Sequence, residues 1–335
     1  MGEHNERPLR HRTVPLVALL TTCAWGSASG ANMSADSPIM AKLARGNGFA
    51  TFTNRRHPDN RIGYRFHEHT PIVHGQVPDD NERAGIDPAE MAELERRFGK
   101  RPGVLKNELR VDDKGWVPQQ WTFYMAPVAD GIDLLLVVQT DQAGLNAYYG
   151  IQQCFRMSGT TNAAWRRTIA QTPAFSEYDL WRRHEKDKPA KTSLTYVLRK
   201  RTWQALPATS SPVGARTPLG VRVDTERSGG DLAAMLTVGP YKARMLEQID
   251  NGLVTRTNRE RTWVCGIYWQ RTSHVSDHHP ADCLHSIVNV GPIPPNAKRA
   301  VRGKIYWFAG TLNELRKRWR RDFPDGPAPV AAPDK

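Results

Sequence analysis

Hydrophobic and polar residues alternate with a period of two along much of this chain. Seven runs rich in β-branched and aromatic residues are separated by Gly, Pro and Asp, which predicts strands at residues 121–126, 133–139, 147–156, 193–198, 262–269, 284–290 and 304–308. Many strands with turn signals between them, and few helices, predict a mainly β fold. We expect a large antiparallel β-sandwich of the supersandwich kind with a few short helices.

Three segments carry the signals of short helices. Residues 87–99 begin with a capping Asp and a Pro in the first turn, and they end at a Gly. Residues 241–250 form the second candidate. The third begins at a capping box of Thr311 and Glu314 and ends before Pro324.

The N-terminal residues 1–31 have the composition of a secretory signal peptide. Basic residues precede an apolar run, and small residues follow it. We therefore expect export to the periplasm or the medium, with a lipid anchor on Cys23 as a less favoured alternative. No other stretch approaches the ~20 apolar residues of a membrane span. For the exported chain we expect an irregular segment at 32–60, a single β-sandwich domain at 61–325 and a disordered tail at 326–335.

The chain is strongly basic, with a formal net charge of +13 at pH 7. In an exported protein this charge favours anionic partners such as acidic polysaccharides or envelope surfaces over nucleic acid, although it can equally serve solubility. The sequence has no phosphate-binding Gly loop, dinucleotide fingerprint, Gly-x-Ser-x-Gly motif or calcium loop. Nucleotide-dependent chemistry and ordinary serine hydrolysis are therefore not leading functions.

Four of the 11 histidines lie in the histidine-rich segment, residues 272–287. Imidazole and carboxylate groups ligate metals or transfer protons near neutral pH, and the candidate metal ligands here are His274, Asp277, His278, His279 and Asp282. A helical zinc-protease pair is excluded, because no Glu follows the first His and Pro280 would end the helix. Three interpretations stay open: a site for a divalent metal, zinc or calcium; metal-free acid–base chemistry; and histidines that bind only loop backbone or sugar hydroxyls.

A second stretch with several histidines lies far away in sequence, at residues 65–74. Alternation places His67 and His69 on one side of it. We expect this stretch to approach the histidine-rich segment from a facing sheet and to build one site with it. Two unrelated loops are the alternative.

The predicted strand at 147–156 is dense in hydroxyl, amide and guanidinium groups. Tyr148 or Tyr149 could donate a proton, unless the rings only pack in a core. Arg156 could neutralise a substrate carboxylate, and Gln152 could face a polar cleft, because an unpaired buried amide is costly. Three tryptophans near Gly, Asn and Arg are candidates to stack on a sugar ring: Trp116, Trp165 and Trp181. Three others lie in apolar patterns and are predicted to be core: Trp263, Trp269 and Trp307.

Cysteine usage leaves two interpretations open. If the signal peptide is removed with Cys23, the exported chain keeps Cys154, Cys265 and Cys283. A bridge between Cys265 and Cys283 is one interpretation, since both lie in or beside predicted strands and they bracket most of the histidine-rich segment. Three buried free thiols that behave as small hydrophobes are the other.

Several segments resemble a group of uncharacterised exported proteins from polysaccharide-degrading bacteria; they are residues 121–127, 148–159, 277–285 and 302–308. The C-terminal pattern, a strand holding Arg302 and Gly303 followed by a short helix, is similar to the endings of galactose-mutarotase-like sandwiches. The resemblance implies a β-sandwich and a carbohydrate-related role. The paired catalytic His and Glu of true sugar mutarotases have no counterpart that we can place, so the resemblance does not imply epimerase activity.

The leading hypothesis is an exported carbohydrate-active enzyme that cleaves an acidic polysaccharide or oligosaccharide by β-elimination. Such a lyase needs a group that neutralises the uronate, a base and an acid. Arg156 or a metal would neutralise, His278 or His285 would be the base, and Tyr148 or Tyr149 the acid. The candidate substrate contacts are Trp116, Gln152, Trp181, His67 and His69. A metal-dependent hydrolase and a non-catalytic glycan-binding protein are the alternatives.

Overall fold

The described part of the chain folds mainly as antiparallel strands. The structure is a computed structural model, and it describes residues 37–43, 49–66, 72–76, 88–111, 118–145, 147–157, 194–205, 249–278, 283–290 and 293–324. All of these residues belong to one compact unit, Ala31–Lys335. Among them, no helix has the length and hydropathy to cross a membrane.

One sheet has seven strands. Its order is β1-β2-β3-β8-β14-β13, and β4 also pairs with β8. The strands are β1 Ile39–Leu43, β2 Phe49–Asn54, β3 His57–Arg65, β4 Ile72–Gln76, β8 Ala147–Arg156, β13 Thr272–His278 and β14 Cys283–Asn289.

The second sheet has eight strands in the order β10-β9-β11-β12-β15-β7-β6-β5. The strands are β5 Leu105–Val111, β6 Gln119–Val128, β7 Gly131–Thr140, β9 Thr195–Arg199, β10 Thr202–Ala205, β11 Val254–Thr257, β12 Trp263–Trp269 and β15 Lys298–Ala309. Two antiparallel sheets with few helices confirm the predicted fold class.

The main core lies between the two sheets, where alternate residues of facing strands meet. In β7, Leu134 and Leu136 enter this core, whereas Leu135 and Val137 lie on the opposite face of the same strand. Burial on both faces explains why β7 is a continuous apolar run in the sequence. The tryptophans predicted to be core follow the same rule: Trp269 and Trp307 are buried, and Trp263 packs against the core.

Both described helices pack on the outer face of the eight-stranded sheet. Helix α1, Pro88–Gly99, buries Met91 and Phe98 there, and helix α2, Leu312–Asp322, buries Leu315. The predicted capping box is present: the Thr311 hydroxyl accepts from the Glu314 N–H at 3.3 Å, and the Thr311 N–H donates to the Glu314 carboxylate at 2.6 Å. These two helix predictions are confirmed. Most of the remaining predicted helix, at residues 241–250, lies outside the described residues.

The prediction of an irregular segment at 32–60 is wrong for the residues described. Strands β1 and β2 lie there, and β3 begins there. They were missed because these strands are short and carry polar residues on alternate positions, so only a few side chains such as Ile39 and Phe52 reach the core. Pairing in the sheet, rather than hydrophobicity, makes this segment extended.

Candidate functional site

The outer face of the seven-stranded sheet brings together residues from four strands. In β8, Ile151 and Phe155 point into the core, so Cys154 and the half-buried Arg156 lie on the opposite face. In β14, Leu284 and Val288 point into the core, so Cys283 and His285 also lie on the outer face. The side chains of greatest chemical interest therefore share one surface.

The strand register arranges these residues in two adjacent rows across the sheet, because directly opposite residues of an antiparallel pair share a face. Across β3, β8 and β14, the first row is Arg65, Cys154 and His285. Across β3, β8, β14 and β13, the second row is Gly63, Arg156, Cys283 and His278. Arg156 is consequently a diagonal neighbour of His285.

Two thiols and an imidazole lie at the centre of this face of the sheet. The ligand atoms of Cys154, Cys283 and His285 all lie within 4.8 Å of one another, and we call these three residues the thiol–imidazole cluster. The Cys283 Sγ atom is 3.4 Å from His285 Nε2, and Arg156 Nε donates to Cys154 Sγ at 3.3 Å. Both cysteines are fully buried and His285 is 7% exposed. A guanidinium beside a thiol favours the thiolate, which is the form that binds metals and attacks electrophiles.

The histidine-rich segment is a hairpin made of β13 and β14. The backbone register places His274 opposite Ile287, Asp277 opposite Leu284, and His278 opposite Cys283. Of the other candidates in this segment, His279 and Asp282 lie outside the described residues. Most of this segment is thus paired strand, and it joins the site through β14.

The described parts of the two histidine-containing stretches lie in one sheet, not in facing sheets. Strand β4 pairs with β8 and sets His74 opposite Tyr148, while β14 pairs with the other side of β8. His67 and His69 lie outside the described residues, as do Trp116, Trp165 and Trp181. The prediction is therefore corrected: β8 lies between the two stretches within a single sheet.

The structure separates Tyr148 and Tyr149 from Arg156, although all three lie on β8. Tyr148 and Arg156 are eight residues apart on this strand. At about 3.3 Å per residue, that is a distance of about 26 Å, several times the width of a sugar ring. Arg156 and either tyrosine are thus too far apart along β8 to act on the same bond.

The two adjacent glutamines of β8 differ in their placement. Gln153 is fully buried, and its side-chain oxygen accepts a hydrogen bond from the Tyr64 hydroxyl. It therefore belongs to the core between the sheets. Gln152, the candidate for substrate contact, lies opposite Ile287 in the register, at a position that alternates with Gln153.

The predicted bridge between Cys265 and Cys283 is wrong. Cys154, Cys265 and Cys283 are all free thiols and all buried. Cys265 lies in β12 of the eight-stranded sheet and points into the core, where burial raises its pKa well above the ordinary value. Cys283 points away from that core, and its neighbouring cysteine is Cys154. Nearness to apolar strands could not reveal on which face of which sheet each cysteine lies.

Sequence reasoning also missed the role of Cys154 and Arg65. Alternation along 147–156 did place Cys154 on the same face as Gln152, but a single cysteine among apolar residues is most simply explained as a small core residue. Its significance comes only from the pairing of β8 with β14. Arg65 gave no signal, since its partner in β8 lies far away in sequence.

Comparisons with known proteins give weak structural likenesses. No family model and no curated protein matches the sequence. The Slr1438 protein from Synechocystis sp. PCC 6803 is similar with a TM-score of 0.38 and 8% identity, covering 86% of this chain and 100% of its own. An aldose 1-epimerase-like protein from Escherichia coli K12 has a TM-score of 0.30 and 8% identity, with 62% of this chain and 66% of its own covered.

A galactose mutarotase-related enzyme from Lactobacillus acidophilus is similar with a TM-score of 0.30 and 7% identity, covering 82% of this chain and 99% of its own. The structural neighbours thus include mutarotase-related and epimerase-like proteins. At TM-scores below 0.5, the fold assignment rests on the strand order and register described above, and no activity follows from these likenesses.

Proposed function

We propose that this protein is an exported enzyme that cleaves an acidic carbohydrate by β-elimination on the outer face of the seven-stranded sheet. The observation that carries the proposal is the placement of Arg156 beside the imidazole of His285, on the same face and in neighbouring strands. A cation and a proton-transfer group side by side are what elimination next to a carboxylate requires.

The roles follow from the chemistry of each group. The planar Arg156 guanidinium can bind a uronate carboxylate through two parallel hydrogen bonds and stabilise the charge that develops when the adjacent proton leaves. His278 or His285 removes that proton. The same imidazolium can then return the proton to the leaving oxygen, so the distant tyrosines of β8 are not needed as the acid.

The charge of the molecule supports an anionic substrate. The chain has a net charge of +13, and Arg65 lies opposite Cys154 in the row next to Arg156. A cationic surface raises the local concentration of an anionic polymer. The choice of a carbohydrate comes from the sequence resemblance, and export comes from the signal-like residues 1–31; N-terminal sequencing of secreted protein would test the latter.

The experiment is an assay of the purified, exported form of the chain on a panel of uronate-containing polysaccharides. The readout is the ultraviolet absorbance of the double bond that elimination creates. Replacement of Arg156 by Gln should lower kcat/KM about 100-fold, which is typical for loss of one preorganised charge-stabilising group. Arg156→Lys should recover only part of the rate, because an ammonium cannot form the bidentate contact.

A matched control is Arg110→Gln, which removes an exposed guanidinium from β5 in the other sheet. Its rate should equal that of the wild type. An equal loss in the two variants would mean that only net charge matters and would contradict the role of Arg156. If no substrate in the panel yields the unsaturated product, the lyase proposal is wrong.

The thiol–imidazole cluster favours a second candidate, a hydrolase that uses a metal-bound water. Hydrolysis would release reducing ends without the new double bond. Measuring reducing ends and absorbance on the same samples separates the two reactions. If the protein retains a glycan but forms neither product, it is a non-catalytic glycan-binding protein.

A further inference from the structure

We infer that Cys154, Cys283 and His285 form a binding site for one thiophilic divalent metal ion, of which Zn²⁺ is the natural choice. Two thiolates and one imidazole are ligands that zinc prefers. The three ligand atoms already lie within 4.8 Å of one another on adjacent strands. This site differs from the set of metal ligands that the sequence suggested, three of which lie in β13 and two in the residues that follow it outside the described part of the chain.

The spacing of the ligand atoms fits a tetrahedral ion. With zinc–sulfur and zinc–nitrogen bonds of about 2.3 and 2.0 Å, a tetrahedral centre separates a sulfur and a nitrogen ligand by about 3.5 Å. The Cys283 Sγ atom and His285 Nε2 are 3.4 Å apart. Only a small movement is therefore needed to accept an ion.

The strand register opposes a disulfide at the same place. Cys154 lies opposite His285, and Cys283 lies opposite Arg156, so the two cysteines are diagonal neighbours. Diagonal positions are about 7–8 Å apart, whereas bridged cysteines usually have Cα atoms 4.4–6.8 Å apart. The paired strands thus hold the two thiols at a spacing that suits a metal ion between them better than a disulfide bond.

The electrostatics of the site also favour a cation. Arg156 donates to Cys154 Sγ at 3.3 Å, as a group that orients and stabilises a ligating thiolate would. Two buried thiolates are costly without compensation, and a divalent ion neutralises both. Cys265 is a natural comparison, because it is equally buried but lies in the other sheet, where burial raises its pKa more than Arg256 lowers it.

The described residues supply three ligands, and three protein ligands with water or a substrate oxygen in the fourth tetrahedral position are the pattern of catalytic rather than structural zinc sites. A metal-bound His285 is not a base, so within the proposed function proton removal would fall to His278, which lies opposite Cys283. Metal binding itself does not depend on the proposed glycan chemistry.

The test measures metal binding by the full-length exported chain, purified with a reductant and stripped with a chelator. Titration with Zn²⁺ should give one ion per chain, and Co²⁺ should give the charge-transfer and ligand-field bands of a tetrahedral thiolate complex. Cys154→Ala, Cys283→Ala and His285→Asn should each weaken Zn²⁺ binding more than about 100-fold, and Arg156→Gln about 10-fold, since loss of a ligand exceeds loss of a group that orients one. The matched control Cys265→Ala should bind like the wild type.

The inference is overturned if the wild type shows no thiolate–cobalt band, or if Cys265→Ala loses the ion as Cys154→Ala does. Circular dichroism identifies any variant that fails to fold. In that event protection of Cys154 and Cys283 from alkylation by Zn²⁺ in the wild type, read by mass spectrometry, decides the matter. Metal binding without glycan turnover would contradict the proposed function alone, and turnover without metal would contradict this inference alone.

Discussion

Replacement of Lys304 by Met should lower the free energy of unfolding by about 3–5 kcal/mol, because it removes the buried cation of a network of carboxylates. The Lys304 side chain is only 5% exposed, and its Nζ atom lies 2.7 Å from Asp130 and 2.8 Å from Asp322. Asp130 belongs to the turn between β6 and β7, and Asp322 is the last residue of α2. The lysine therefore ties this helix to the eight-stranded sheet, and urea unfolding of the two proteins measures its contribution.

The pH dependence of this difference has a definite sign. Burial would raise the pKa of Asp130, but Lys304 and Arg318 outweigh burial and lower the pKa below 3.8. Burial would lower the pKa of Lys304, but Asp133 and Asp130 outweigh it and raise the pKa above 10.5. The contribution of the Asp130 carboxylate to the unfolding free energy is lost as the pH falls through its lowered pKa in the folded state. The contribution of the Lys304 ammonium is lost as the pH rises through its raised pKa in the folded state. The stability difference should thus be level from about pH 4 to 10 and shrink outside that range.

The control is Lys298→Met, which removes a half-exposed lysine that pairs with Glu95 at 3.2 Å. A solvent-screened pair of this kind contributes less than about 1 kcal/mol. Similar losses in the two variants would show that the Lys304 network is not effectively buried. Arg318 and Arg321 also contact Asp130, at 3.0 and 3.3 Å, so a loss near the lower end of the range is expected.

The predictable part of the fold is the part in which local pattern and final environment agree. Strand β8 was predicted with the bounds that the structure shows, 147–156, and β7 and β12 were found from their long apolar runs. Strand β13 was not, because its residues Thr272–His278 are mostly polar and become extended through pairing with β14. Hydrophobicity reports burial, and a strand that is held mainly by backbone pairing carries little of that signal.

Some residues of the candidate site were singled out from the sequence, namely Arg156, His278 and His285, but their arrangement in space was not. Alternation within a strand places Cys283 and His285 on the same face of β14, opposite the core residues Leu284 and Val288. Which strands are neighbours depends on non-local pairing, and that pairing joined Cys154 to Cys283 while it left Tyr148 at the far end of β8. Cys265 is another example. Its position in an apolar strand made it a candidate for a disulfide with Cys283, but the strand lies in the other sheet.

Replacement of Trp269 by Ala should cost about 3–5 kcal/mol of unfolding free energy, because it removes a large, fully buried side chain from the core between the sheets. Trp269 lies directly opposite Gly303 in the β12–β15 register. A Cβ atom on Gly303 would come within 2.5 Å of two atoms of the indole ring and 2.8 Å of the Tyr268 carbonyl oxygen. The glycine therefore makes room for the tryptophan.

This contact predicts coupling between the two positions. Gly303→Ala alone should cost about 1–3 kcal/mol through overpacking. In the Trp269→Ala background the same change should cost less, by about 1 kcal/mol or more, because the ring is gone and only the carbonyl contact remains. Gly99→Ala is the control: its new Cβ would meet Tyr124 at an ordinary 3.6 Å, so its effect should stay within about 0.5 kcal/mol. Strictly additive costs for Trp269→Ala and Gly303→Ala in denaturant unfolding would contradict the account, since additivity would mean that the indole does not occupy the space above Gly303.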